Sequence, residues 1–378
     1  MKSIINGRII TPNGIVCGKV LNFDKVICSI SDNAEGEIID AKGNYVSPGL
    51  VDIHIHGYLG EDASDGKPEG IRKMAEGIVK NGVTSWLPTT MTVSKAELEA
   101  AFDAIRTVKE ESKKDDFMGA EVLGVNSEGP FINAQYKGAQ LEEAIIAPDA
   151  AFVKKHADII RLVTVAPEVE GAIDFIRELK RDTDITISMG HTATTFETAN
   201  EAYNAGLSHT THLFNAMTPL HHRKPGAVGA ALSCPGVTCE LICDTFHVNP
   251  GLYSLVYNAK GDKLVLITDC IRAGGLSDGI YTLGGQRVTV KGIQCLLDDG
   301  TISGSVLRLN NAVKNFKNHT TVALHNIVNA ASLTPAKVAG VDKRKGSIET
   351  GKDADIIIVN EDFEVLSTYI GGNLKYAK

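Results

Sequence analysis

No stretch of this 378-residue chain approaches the ~18 consecutive apolar residues that a membrane-spanning helix requires. The opening Met1-Lys2-Ser3-Ile4-Ile5-Asn6-Gly7-Arg8 turns polar too soon to read as a secretory signal. Cysteines are few and scattered: Cys17, Cys28, Cys234, Cys239, Cys243, Cys270 and Cys295, with no CxxC pair. An odd, dispersed set fits reduced thiols in a cytoplasm better than a disulfide framework or a cysteine zinc site. Basic residues are in deficit, 38 against 46 acidic ones, giving a net charge of −8 with no basic stripe. That disfavours a nucleic-acid partner. Proline is sparse at 12 residues and low-complexity tracts are missing, so the 37 glycines mark tight turns rather than disorder. Neither GxGxxG nor GxxxxGK[ST] follows the first strand, which counts against a nucleotide-binding open sheet.

What is present is alternation. Between Asn44 and Asp269, short β-prone apolar runs alternate with amphipathic stretches. The predicted strands are Leu50–His56, Ser85–Pro88, Val122–Ser127, Ile160–Val165, Ile185–Gly190, Ser208–Leu213, Cys239–Cys243 and Leu264–Thr268. Helical patterns between them include Ile71–Lys80, Lys95–Lys113, Ala172–Arg181 and Phe196–Ala205. Eight βα units in a chain of this length predict an α/β fold, a (β/α)₈ TIM-like barrel, over residues 48–345. Residues 1–47 and 346–378 read as short strands and turns, neither able to bury a sheet face alone. They are expected to pair into one small β-sandwich domain beside the barrel.

Barrel function gathers at the C-terminal ends of the strands, and the polar residues gather there too. The first strand ends Val-Asp-Ile-His-Ile-His-Gly, with Asp52, His54 and His56 on one face by alternation. Glu128 tips the third, just before Gly129-Pro130. His191 follows the fifth, His212 and Asn215 the sixth, and Asp269 the eighth. Taken singly, each has an ordinary reading: Glu128 as a helix cap, Asp269 as a turn residue, a histidine as a satisfied polar group. Together, several imidazoles and two carboxylates in one place are costly unless a cation pairs with them. Zn²⁺ suits imidazole plus carboxylate; ligand type also admits Fe²⁺, Mn²⁺ or Co²⁺. His209 has the opposite parity to His212 and is predicted to pack toward the outer helices.

The segment Pro48-Gly49-Leu50-Val51-Asp52-Ile53-His54-Ile55-His56-Gly57 resembles the opening motif of the amidohydrolase superfamily. Glu128-Gly-Pro-Phe, Gly190-His191-Thr, Thr211-His212-Leu-Phe-Asn-Ala-Met and Thr268-Asp269 resemble the N-acetylglucosamine-6-phosphate deacetylase family within it, along nearly the whole chain. The resemblance implies Glu128, His191 and His212 as ligands of a principal divalent metal. It leaves room for a second ion on His54 and His56, bridged by Glu128. Asp269 would be the catalytic acid/base. Asn215, the Ala216 backbone, Arg223 and His247 would hold a phosphorylated amino sugar, the arginine reaching in from the neighbouring subunit of a homodimer. Gln140 stands where some relatives place a histidine; it would keep a hydrogen bond to the sugar but carries no charge. A glutamate at position 128 speaks against the hydantoinase and dihydroorotase branch, which bridges its metals with a carboxylated lysine.

The chemistry implied is amide hydrolysis, the acetyl group leaving the sugar nitrogen as acetate. A galactosamine substrate, a nucleobase deaminase using the same metal and aspartate, and a non-catalytic binding protein are the alternatives. The Glu128 motif and the Arg223 loop weigh against the deaminase, and the intact ligand set weighs against the binding protein.

Overall fold

Eight strands line the barrel in chain order in the computed structural model, which describes all residues from 1 to 378. They are β1 (Leu50–Ile55), β2 (Val83–Thr90), β3 (Val125–Phe131), β4 (Ile160–Val165), β5 (Thr186–Met189), β6 (His209–Thr210), β7 (Thr238–Ile242) and β8 (Leu264–Ile267). Each pairs in parallel with the next. The ring closes just past the strand ends, where the Asp269 N–H donates to His54 O at 2.8 Å and the His56 N–H to Cys270 O at 2.9 Å. Every residue of β1 and β2 is buried, as strands covered on both faces must be.

The helices follow from local signals. Lys95–Glu111 starts at a capping box in which Ser94 and Glu97 each bond the other's backbone N–H. Phe196–Ala205 starts at Thr195, whose hydroxyl accepts the Thr198 N–H at 3.2 Å. The predicted helical stretches are present with ends shifted by a few residues. One strand is much shorter than its pattern: only His209–Thr210 of Ser208–Leu213 stays in the sheet. Beyond it the chain peels inward through positive φ at His212, Phe214 and Ala216, leaving the ladder to present side chains to the barrel mouth.

The chain ends supply two further sheets. In one, Ile356–Val359 lies antiparallel to Tyr45–Pro48, which lies parallel to Arg8–Thr11. In the other, Lys2–Ile5 pairs with Val20–Phe23 and Glu37–Asp40. A second apolar core, including Ile4, Leu21, Phe23, Val46, Ile356 and Tyr369, draws on both sheets. The (β/α)₈ barrel with an additional small β unit is therefore the observed architecture. A three-stranded antiparallel insert follows β8, Gly279–Leu283, Gln286–Lys291 and Gln294–Leu297. The period-2 run Gln-Arg-Val-Thr-Val-Lys after Gly284-Gly285 is its signature, and a reading confined to βα units passes over it.

Candidate active site

Six side chains carried in or just past five strands converge at the barrel mouth; Glu128 lies within β3, at a break in its register between Ser127 and Phe131, rather than at the strand's tip. His54, His56 and Asp269 offer three ligand atoms within 4.8 Å of one another, and so do Glu128, His191 and His212. All six are buried. Glu128 lies between the two groups. Its Oε1 is 2.9 Å from His212 Nε2, 3.3 Å from His191 Nε2 and 3.3 Å from His54 Nε2, while Oε2 is 3.1 Å from His56 Nε2. Asp269 Oδ1 lies 3.3 Å from His56 Nε2 and 3.6 Å from His54 Nε2. His191, His212 and Asp269 all take positive φ, 47°, 28° and 50°, a costly conformation that surrounding structure must hold.

The outer bonds of the imidazoles decide which nitrogens face inward. His56 Nδ1 lies 3.1 Å from Thr89 O and His191 Nδ1 lies 2.8 Å from Tyr136 O. A carbonyl only accepts, so both Nδ1 atoms carry the proton and both Nε2 atoms present lone pairs. His54 Nδ1 is held the same way by a carboxylate, Glu240 Oε2, at 2.9 Å. Lone pairs then oppose one another at His54 Nε2 and His56 Nε2, 3.3 Å apart, and His191 Nε2 faces His212 Nε2 at 3.1 Å, with carboxylate oxygens between them. Such a constellation calls for positive charge at its centre. The bare side chains express that demand as proton uptake. Burial alone would lower the pKa of His56, yet Asp269 and Glu128 beside it raise it to about 10. The donor set and its tautomers fit divalent cations.

A cavity of about 600 Å³ opens over this centre, bounded by Glu128, His191, His212 and Asp269 and by Asn215, Ala216, Gln140 and His247. His247 Nδ1 is tied to Asp244 Oδ2 at 2.6 Å. Burial would lower the pKa of His247, but the Asp244 carboxylate raises it and favours a charged imidazolium facing the cavity. Asn215 is braced by its own turn, its Nδ2 donating to His212 O at 3.2 Å. Gln140 has both ends engaged: Nε2 donates to Glu128 Oε2 at 2.5 Å and Oε1 accepts the Thr92 N–H at 2.7 Å.

The amidohydrolase family model matches residues 45–375. The chain belongs to the amidohydrolase family. Among relatives of this amidohydrolase, the N-acetylglucosamine-6-phosphate deacetylase of Bacillus subtilis (strain 168) is 42% identical over 334 residues, 87% of this chain and 84% of the relative. The N-acetylgalactosamine-6-phosphate deacetylase of Escherichia coli O157:H7 is 33% identical over 97% of each chain. The crystal structure of N-acetylglucosamine-6-phosphate deacetylase from Pasteurella multocida superposes with a TM-score of 0.93 at 30% identity, covering 100% of both chains.

Not every candidate of this amidohydrolase meets in the one cavity. Arg223 is exposed and lines a separate groove, its Nη1 2.8 Å from His222 Nε2. His209 does not pack on the outer helices. It is fully buried and its Nε2 lies 3.1 Å from Glu240 Oε1. Glu240 itself escaped the sequence reading. Its signal was one ionisable residue inside the apolar run Cys239–Cys243, a position where a charge survives only with partners.

Proposed function

We propose that this amidohydrolase hydrolyses the N-acetyl group of N-acetyl-D-glucosamine 6-phosphate, giving D-glucosamine 6-phosphate and acetate. The observation that carries the reading is Glu128, in one ligand trio and touching His54 and His56 of the other, with Asp269 beside them on the floor of a sugar-sized cavity. The Bacillus subtilis relative supports the same substrate. Glu128, His191 and His212 would hold a principal divalent ion, Zn²⁺ first and Fe²⁺, Mn²⁺ or Co²⁺ next. His54 and His56 would hold a second beside it. Such an ion supplies Lewis acidity, acidifying water and polarising an amide carbonyl.

The chain's own residues do the rest. Asp269 accepts a proton from the attacking water on its carboxylate and delivers it to the sugar nitrogen as the C–N bond breaks, so the amine leaves neutral. Asn215, the Ala216 backbone and His247 orient the phosphorylated sugar, and Arg223 of a neighbouring copy in a homodimer completes the phosphate contacts. Gln140 braces Glu128 through one N–H of its amide and keeps the other for the sugar contact that the resemblance assigns to it. Residues 1–47 and 346–378 form the small β domain and 48–345 the catalytic barrel, in a cytoplasmic enzyme.

The Escherichia coli relative favours a second reading, the galactosamine epimer as substrate. Acetate release from the two N-acetylhexosamine 6-phosphates, run beside ammonia release from cytosine and adenine, tests both. Turnover of the glucosamine derivative with acetate is expected. Ammonia release with no acetate would overturn the reading, and a preference for the galactosamine derivative would select the second one.

A further inference from the structure

Strand β7 carries Glu240 among apolar neighbours, fully buried, in neither ligand trio. Its two oxygens accept three N–H groups. Oε2 takes His54 Nδ1–H at 2.9 Å and the backbone N–H of His212 at 3.0 Å; Oε1 takes His209 Nε2–H at 3.1 Å. His209 is steadied on its far side, Nδ1 lying 2.6 Å from Thr238 Oγ1, its cross-strand partner in the β6–β7 register. A carboxylate out of water is costly unless its lone pairs are filled, and here protein N–H groups fill them.

We propose that Glu240 is the positioning residue of this centre, fixing the tautomer and aim of His54 and thereby the affinity for the ion His54 contacts, with His209 and Thr238 bracing Glu240 in turn. The inference rests on reading the two trios as metal ligands. An ionised carboxylate accepts and never donates, so it forces the His54 proton onto Nδ1 and turns the Nε2 lone pair toward Glu128 and His56. For His56 and His191 that task falls to neutral backbone carbonyls. Only His54 has an anion behind it, which also makes its Nε2 the stronger donor. The same oxygen grips the backbone of His212, so one side chain ties a ligand of each trio.

Glu240→Gln keeps the volume but turns one acceptor into a donor. With its carbonyl toward His54 the carboxamide removes the anion behind the ring; with its amino group there it releases His54 or drives its proton to Nε2, where it opposes a cation. Metal-loaded wild type and variant are titrated with a chelator, counting bound ions at each step. The variant is expected to lose affinity for one ion by about 10–100-fold while the ion of Glu128, His191 and His212 stays bound. Histidine-selective ¹⁵N NMR of the wild-type protein provides a readout that survives a misfolded variant: His54 is expected to carry its proton on Nδ1. His209→Gln, which loosens the brace without touching His54, should show a smaller loss for the same ion. A folded Glu240→Gln protein holding its ions as tightly as wild type, an equal loss across both ions, or an Nε2-protonated His54 would overturn the proposal. Because the readouts are ion affinity and tautomer, a chain that released no acetate would sink the proposed activity and leave this inference standing.

Discussion

Asp269 reaches the centre at φ 50°, with Oδ1 3.3 Å from His56 Nε2. Burial would raise its pKa, but the imidazoles of His56 and His54 beside it hold it below the usual carboxylate range, which leaves it ionised. Asp269→Asn removes that acceptor at nearly constant shape. We expect kcat to fall by at least ~10²–10⁴-fold, with the ion of Glu128, His191 and His212 retained by elemental analysis. Turnover close to wild type would remove Asp269 from the mechanism. At this scale the six clustered side chains were readable in the sequence, because His54 and His56 alternate on a strand and Glu128, His191, His212 and Asp269 each follow a β-prone run. The residues behind them were less so. Thr89 and Tyr136 act through backbone oxygens, which no side-chain pattern reveals. The sequence shows the amide of Gln140 but not its hold on Glu128.

Among the elements, the strand ends depend on residues without side chains. Gly129 takes φ 87° beside Glu128, and a Cβ there would fall on Thr92 Oγ1. Gly190, before His191, is constrained by space rather than by φ: a Cβ would lie 2.8 Å from Thr164 Cγ2 and 2.8 Å from Thr211 Cβ, both buried. Gly190→Ala must therefore push β5 off its neighbours and carry His191 with it. We expect a loss of about 1–3 kcal/mol in denaturant unfolding, together with weakened metal binding. Unchanged stability and full metal content would show that the strand end gives way freely. Glycine abundance in the sequence hinted at turns; that Gly190 marks close packing emerges only when β4 and β6 are placed beside it. The βα alternation was legible because each strand must bury both faces and each helix one. The insert at Gly279–Leu297 and the early end of β6 were not, since tertiary position rather than local pattern decides both.

At the scale of the whole molecule, charge ties the barrel to the C-terminal segment. Lys345, 1% exposed, sits 2.8 Å from Glu121, 3.1 Å from Asp353 and 2.6 Å from Asp355. Burial would raise the pKa of Glu121, but the charges of Lys345 and Arg344 outweigh it and lower it from 4.5 to about 2. A depressed carboxylate contributes its full stabilisation above its unfolded pKa and loses it as pH falls toward the folded value. Wild-type stability should accordingly drop by about 2–4 kcal/mol from this group between pH 4.5 and 2. Glu121→Gln should flatten that part of a stability–pH profile; an unaltered slope would place the acid sensitivity elsewhere. Arg223 is exposed and lines a groove apart from its own chain's cavity. If it serves the cavity of a second copy, Arg223→Ala raises KM through the partner's site while Asp269→Asn silences its own. Co-refolding the two variants in equal amounts yields mixed dimers for half of the pairs. Each holds one site with an intact Asp269 and an intact arginine, so about a quarter of wild-type activity should return at low substrate. Variants that remain as inactive mixed as apart would confine Arg223 to its own chain's surface and remove it from the phosphate site.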